Sequence, residues 1–378
     1  MYKGTGISKD QLSDDGEPCI LYGELYTKYK SETIREVISK TNIDNTKLVR
    51  SKDNDVIIPC SGETAEDIAT ARCVLNGNIL LGGDLNIIRL HGYDGAFMSY
   101  QLNGRRKYDI AKVAQGVSVV HLYGEHLKGV KTINPCLEEQ KKIAKLLSLL
   151  DERISTQNKI IDKLQSLIKG LEDNLLDNPL WEKTYLRSFM QFFPTNSLSW
   201  EQLSYKEGGI RNLHYGLIHG FQTRGINSAS LPMIKNEAVP KQYILCQVGD
   251  VAFADASEDT GEIAKSVEFV NTIEGDTICG LHTIHGRDIK NRTVVGFKGF
   301  AFNSRYFHNQ IKRLAQGTKV FSITANNLSS CYVYLPDFDT QKAIVKLLKA
   351  YEEKLLVSKR LLEQYEKQKQ YLLRQMFI

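Results

Sequence analysis

No apolar run in the 378-residue chain reaches the roughly 18 residues needed to cross a bilayer. The N-terminus Met1-Tyr2-Lys3-Gly4-Thr5-Gly6 lacks a signal-peptide core. These absences predict a soluble, cytoplasmic chain with no membrane partner. Seven cysteines (Cys19, Cys60, Cys73, Cys136, Cys246, Cys279, Cys331) are odd in number and contain no C-x-x-C, which argues against a disulfide framework and fits a reducing compartment. There is no G-x-x-x-x-G-K-[ST] loop and no G-x-G-x-x-G after a strand, so the common nucleotide-binding loops are missing. A strong excess of one charge is missing too. Lys and Arg number 49 against 44 Asp and Glu, a net charge of +5. Residues 1–180 hold 24 basic against 25 acidic side chains, and residues 181–378 hold 25 against 19. A polyanionic partner is permitted by this balance and not demanded.

Catalytic signatures are equally thin. Asn134-Pro135-Cys136-Leu137 has a faint likeness to the N-P-P-F box of adenine methyltransferases, but the same place later in the chain reads Leu335-Pro336-Asp337-Phe338, without the Asn. Pro336-Asp337 with Glu352-Glu353-Lys354 fits a loose P-D…E-x-K nuclease pattern, yet the second half falls in a helical stretch. Cys279, His282 and His285 have the spacing of metal ligands, but three-residue steps alternate faces on a strand and no fourth ligand is in view. No catalytic residue and no metal site is assigned.

What the chain does contain is a repeat. Gln140 to Leu147 reads Q-K-K-I-A-K-L-L and Gln341 to Leu348 reads Q-K-A-I-V-K-L-L, an offset of 201 residues. The offset holds without a gap from Ala114-Gln115-Gly116 against Ala315-Gln316-Gly317 to Leu171 against Leu372. Each copy opens a long helix. Ile143, Leu147, Leu150, Ile154, Gln157, Ile161, Leu164, Ile168, Leu171 and Leu175 follow alternating four- and three-residue steps, the spacing of a coiled-coil seam. The second copy gives Ile344, Leu348, Tyr351, Leu355, Ser358, Leu362, Tyr365, Lys369, Leu372 and Met376. About 40 helical residues make a rod about 60 Å long, and an antiparallel pair is expected. Pro135 with Glu138 and Glu139 suits the first helix start, Asn178-Pro179 its stop, and Asp337 or Asp339 the cap of the second.

Between the helices the chain is β-rich. Short runs such as Pro18–Tyr22, Asp55–Ile58, Asn78–Leu81 and Leu85–Arg89 alternate with Gly, Asn and Asp, and a helix is expected over 104–114. Asp250-Val-Ala-Phe253 parallels Asp55-Val-Ile-Ile58, and Tyr215-Gly216 parallels Tyr22-Gly23. The predicted organisation is α+β, with an internal pseudo-twofold repeat. It has a first β-rich domain at 1–136, a long helix at 137–178, a second β-rich domain at 179–337 and a long helix at 338–378.

Two divergent β-rich domains, each followed by a helix beginning P-x-x-x-[ET]-Q-K-x-I-x-K-L-L after an A-Q-G segment, resemble the specificity subunits of type I restriction–modification enzymes. The resemblance covers nearly the whole chain. It departs at the beginning, where that family usually carries a W-x-x-x-x-L prelude like Trp181 to Leu186, which leaves two readings open: the first domain lacks an element, or the chain starts late. The resemblance implies a non-catalytic subunit that reads a split double-stranded DNA sequence, one half per domain. It further implies two methyltransferase subunits and restriction subunits as partners, which would carry S-adenosylmethionine and ATP with Mg, leaving this chain no cofactor of its own. The competing reading is a structural adaptor whose β domains bind protein and whose coiled coil only dimerises. Basic and amide side chains supply the DNA-contact candidates: Lys28, Lys30, Arg105, Arg106, Lys107, Gln222, Thr223, Arg224, Arg287, Lys290, Asn291, Arg292, Arg305 and Lys319. Arg224 and Arg287 stand out as candidate base readers. Leu146, Leu149, Ile160, Leu167, Leu347 and Leu361 widen the apolar stripe beyond one seam and are expected to contact methyltransferase subunits.

Overall fold

In a computed structural model that describes residues 1–44, 47–271, 273 and 275–377, the chain divides into two units. The first comprises 1–159 and 360–378, the second 160–359. Each holds a stretch of both long helices, which run Leu137–Leu176 and Phe338–Gln375.

The first unit is built on a five-stranded sheet ordered Tyr2–Lys3, Leu85–Ile88, Asp55–Pro59, Arg72–Val74, Thr33–Ile34, antiparallel except for its last pair. A four-stranded sheet, Leu12–Ser13, Ser39–Thr41, Glu17–Ile20, Leu80–Leu81, again ends in a parallel pair. The runs of Val and Ile in Asp55–Pro59 are buried on both faces, which is why they read as continuous apolar stretches rather than alternating ones. Helix Gly95–Asn103 packs on this sheet, capped by the Asp94 carboxylate accepting from Phe97 N at 2.8 Å. The single helix expected over 104–114 is instead this helix followed by Lys107–Lys112, because the Asp94 cap starts the turn early and Gly104 ends it.

The second unit repeats the plan strand for strand. Its five-stranded sheet runs Met190–Phe193, Thr283–Asp288, Val251–Ala254, Ser266–Phe269, Gly225–Ile226, and its four-stranded sheet Leu203–Ser204, Met233–Ile234, Arg211–Leu213, Thr277–Cys279. Both end in parallel pairs, as in the first unit. Glu182–Tyr185 pairs with Tyr332–Leu335, and this ribbon has no counterpart among the described strands of the first unit.

The repeated A-Q-G has a local cause. Gln115 and His121 bridge across a tight hairpin, as do Gln316 and Ser322. Gly116 and Gly317 both sit at φ +126°, where a Cβ would strike a backbone oxygen of the same turn. Only glycine closes this loop without strain.

Within each unit the long helices pack antiparallel. In the first, Ile143 and Leu147 lie against Leu372, Met376 and Phe377, while Asp151 meets the earlier Lys369. In the second, Leu171, Leu175 and Leu176 share a core with Ile344 and Leu348. Gln157 and Ser358, the polar breaks in the seams, are both buried. Lys369 breaks the apolar seam for a visible reason. Its ammonium lies 2.6 Å from Asp151 and also pairs with Glu32, and Asp151 accepts from Tyr100 Oη and Ser31 Oγ, each at 2.7 Å. Burial alone would lower the Lys369 pKa, but the two carboxylates raise it. Lys369→Met should therefore strand two buried carboxylates and lower the unfolding free energy by about 3–5 kcal/mol, measured by urea denaturation at neutral pH.

Candidate nucleic-acid interface

The candidate DNA-contacting side chains sort by what they touch. Lys30, Arg105, Lys290, Asn291 and Lys319 are exposed, and among the described residues their side chains make no hydrogen bond or ion pair. Asn291 occupies a left-handed turn, φ +52°, and Lys319 lies in the hairpin closed by Gly317. Lys107 is half-buried and likewise without a side-chain partner among the described residues. Cations held free in loops are available to phosphate oxygens.

Others already have partners. Lys28 is 2.6 Å from Glu24, Arg106 3.4 Å from Asp109, Arg292 2.6 Å from Glu182, and Arg305 4.0 Å from Asp173. Gln222 Oε1 accepts from Lys359 at 3.3 Å, and the Thr223 hydroxyl donates to the Gly225 carbonyl at 2.8 Å.

Arg287 is committed to the scaffold. Its Nε and Nη2 donate to the two Asp250 oxygens at 2.8 and 2.7 Å, and Nη2 also donates to the Leu245 carbonyl at 2.8 Å. The ring of Phe193 lies 5.1 Å from the guanidinium. The first unit carries the same device: Arg89 on Asp55 at 3.0 and 2.9 Å, with the Tyr2 ring 4.7 Å away. The pair thus occurs in both copies and fastens the sheet in each. Burial would raise the Asp250 carboxyl, but hydrogen bonds from Arg287 and His285 hold it below the usual range.

Arg224 is similarly engaged, by the long helices. Its backbone N–H donates to Glu352 Oε1 at 3.2 Å and its guanidinium stands 3.9 Å from Glu172. These groups line an open cleft of about 490 Å³ with Gln165, Lys169 and Lys265. Burial pushes Glu352 up to about 7 and raises Glu172, in both cases against the pull of Arg224. Arg224 thus faces this cleft.

An aromatic group escaped the sequence reading. The ring of Trp200 lies tilted 4.4 Å from His214, which lies 4.8 Å from Tyr215, itself 5.3 Å from His282. Trp200 remains exposed, and such a platform suits contact with bases or sugars. The repeated Tyr-Gly dipeptide was the available signal, but Trp200 and His282 are brought to it only by tertiary pairing.

Comparison with known proteins finds relatives of this chain. Residues 3–166 match the family model described as "Type I restriction modification DNA specificity domain". The chain is 25% identical over 367 residues to the type I restriction enzyme MjaVIII specificity subunit of Methanocaldococcus jannaschii, covering 92% of this chain and 83% of that one. It is also 25% identical to the putative MjaX specificity subunit of the same organism, covering 88% and 83%. The crystal structure of a type I restriction–modification S subunit from M. genitalium superposes with a TM-score of 0.62 at 16% identity, covering all of this chain and 93% of that one. The likeness in structure establishes the fold. Residues 3–166 thus match the specificity-domain model, and over most of its length the chain is similar to type I restriction enzyme specificity subunits.

Two measurements check the assignments made from geometry. Arg287→Ala and Arg89→Ala should each cost up to about 3–5 kcal/mol of stability, because each takes the paired cation from a buried aspartate; a chemical denaturation series reads this directly. Glu352 holds its proton more tightly folded than unfolded, so its stabilising contribution is complete below its ordinary value of 4.5 and is lost as pH rises through about 7. Glu352→Gln should flatten that part of the stability–pH curve, followed by melting temperature from acid to neutral pH.

Proposed function

We propose that the chain reads a bipartite double-stranded DNA sequence, one half per unit, and positions adenine-N6 methyltransferase and restriction subunits on it without catalysing a step itself. The observation that carries this is the pairing of one repeated frame with two different sets of exposed loop cations. Shared features such as the Asp–Arg pairs are spent internally, whereas Lys30 and Arg105 belong to one unit, and Lys290 and Lys319, with the amide of Asn291, to the other. Lysines here serve phosphates, and Arg105 and Asn291 serve base edges, since only the latter present paired donors or a donor and an acceptor. The long helices act as the spacer, consistent with half-sites about 34 Å apart on one side of B-DNA. S-adenosylmethionine, and ATP with Mg, belong to the partner subunits, and the assembly works on DNA in the cytoplasm.

Leu146, Leu149, Ile160, Leu167, Leu347 and Leu361 are all exposed. Leucines left uncovered on helices suit helix-to-helix docking, and we assign them to the methyltransferase subunits. The adaptor reading predicts no sequence preference and little salt dependence.

Arg105→Ala should cost roughly 1–3 kcal/mol of binding and relax one base position, and Lys290→Ala should weaken binding evenly and reduce the salt slope by about one. Band shifts of the subunit with its methyltransferase partner, over a salt series, read both. An Arg105→Ala subunit that directed methylation to the same site at unchanged affinity would remove Arg105 from the reading surface. Ile160→Glu with Leu167→Glu should abolish co-purification with the methyltransferase subunit while the melting curve stays cooperative.

A further inference from the structure

The pattern Cys279, His282, His285 contains a real cluster, but not the one its spacing suggests. His282 turns away at φ +53° and binds Asp255 at 3.1 Å. Cys279 and His285 instead meet Cys246, contributed by the loop before strand Val251–Ala254. The two sulfurs are 3.6 Å apart, and these with a ring nitrogen of His285 lie within 4.8 Å of one another. All three residues are buried. We propose that Cys246, Cys279 and His285 form a zinc site in the second unit.

Three independent observations support it. The sulfur separation is close to the roughly 3.8 Å that two thiolates adopt across a tetrahedral zinc with bonds of about 2.3 Å. His285 has the support that zinc-bound imidazoles have: Nε2 lies 2.7 Å from Asp250 Oδ2, and a donated Nε2–H leaves Nδ1 as the lone-pair nitrogen. Asp250 is in turn held by Arg287.

The internal repeat supplies a control. Cys246 N donates to the Thr277 carbonyl just as Ser51 N donates to that of Ile79, both at 2.8 Å. Cys279 pairs with Leu213 as Leu81 pairs with Ile20, and His285 pairs with Ala252 as Ile87 pairs with Ile57. The first unit therefore has Ser51, Leu81 and Ile87 where the second has two thiols and an imidazole. All three positions carry ligand chemistry in one unit and none carries a comparable set in the other, while Asp and Arg beside them are common to both.

Charge balances as well. Zinc takes cysteine as the thiolate. Zinc entering as a dication displaces two thiol protons, so the buried charge is unchanged and affinity rises with pH. A water completes the tetrahedron. The Thr277 hydroxyl, buried and without a hydrogen-bond partner among the described residues, lies two residues before Cys279 to receive it.

The test uses the full chain purified under reducing conditions. Elemental analysis should find one zinc per chain, and replacement by cobalt should give thiolate charge-transfer bands with the intense d–d absorption of tetrahedral cobalt. Cys246→Ser, Cys279→Leu and His285→Ile borrow the first unit's residues, so each keeps a packing solution already used in this chain. Each should remain folded by circular dichroism yet lose the zinc. A chelator should lower the melting temperature of the native chain and leave the variants unmoved. Folded, reduced native chain that takes up no zinc and shows no cobalt–thiolate band would overturn the site, as would zinc retained by Cys279→Leu or a Cys246–Cys279 disulfide found by mass spectrometry.

Discussion

Everything that can be said of how the helices meet the sheets starts from one glutamine, used twice. Gln140 accepts from Asp94 N at 3.0 Å and donates to the Pro135 carbonyl at 2.7 Å; Gln341 accepts from Val294 N at 2.9 Å and donates to the Pro336 carbonyl at 3.0 Å. Both are buried. A buried amide left half-satisfied costs about 1–3 kcal/mol, so each side chain tolerates only one placement of its helix against the loop before the sheet-packed helix. The apolar seam supplies most of the burial, but leucines slide past one another more readily than a two-ended amide does. The glutamines thus set direction, and the leucines supply adhesion.

The sequence revealed this joint because it is local and doubled. Q-K-x-I-x-K-L-L and A-Q-G recur at a fixed offset, and their causes, a bonded amide and a positive-φ glycine, act within a few residues of the motif. The heptad spacing likewise reported helix and seam. Long-range pairing was not legible in that way. Nothing beside Lys369 in the sequence announces Glu32 and Asp151, which come from distant parts of the first unit. Arg287 read as a loop cation because Asp250 lies 37 residues away, and Cys246 stood outside any motif because strand pairing alone brings it to Cys279. Sheet order, with its parallel end pairs, carries no marker in the strands themselves.

Charge is distributed with a purpose that composition conceals. A net charge of +5 says little, yet many of the arginines are consumed by internal carboxylates, and exposed lysines with Arg105 remain for a partner. The arginine fork that would suit a base edge also suits an aspartate, and in both units the aspartate is nearer. Counting basic residues therefore overstates the surface available to a polyanion, and burial corrects the count.

The ribbon formed by Glu182–Tyr185 and Tyr332–Leu335 pairs the strand just after the first long helix with the strand just before the second. The segment between them is a closed loop with a fixed neck. Closure entropy grows only with the logarithm of loop length, about 0.6 kcal/mol per doubling. Whatever lies inside that neck can lengthen, shorten or be replaced at small thermodynamic expense, while the helices outside it keep their footing. Variation is thereby cheap where the loops are, and costly at the joint.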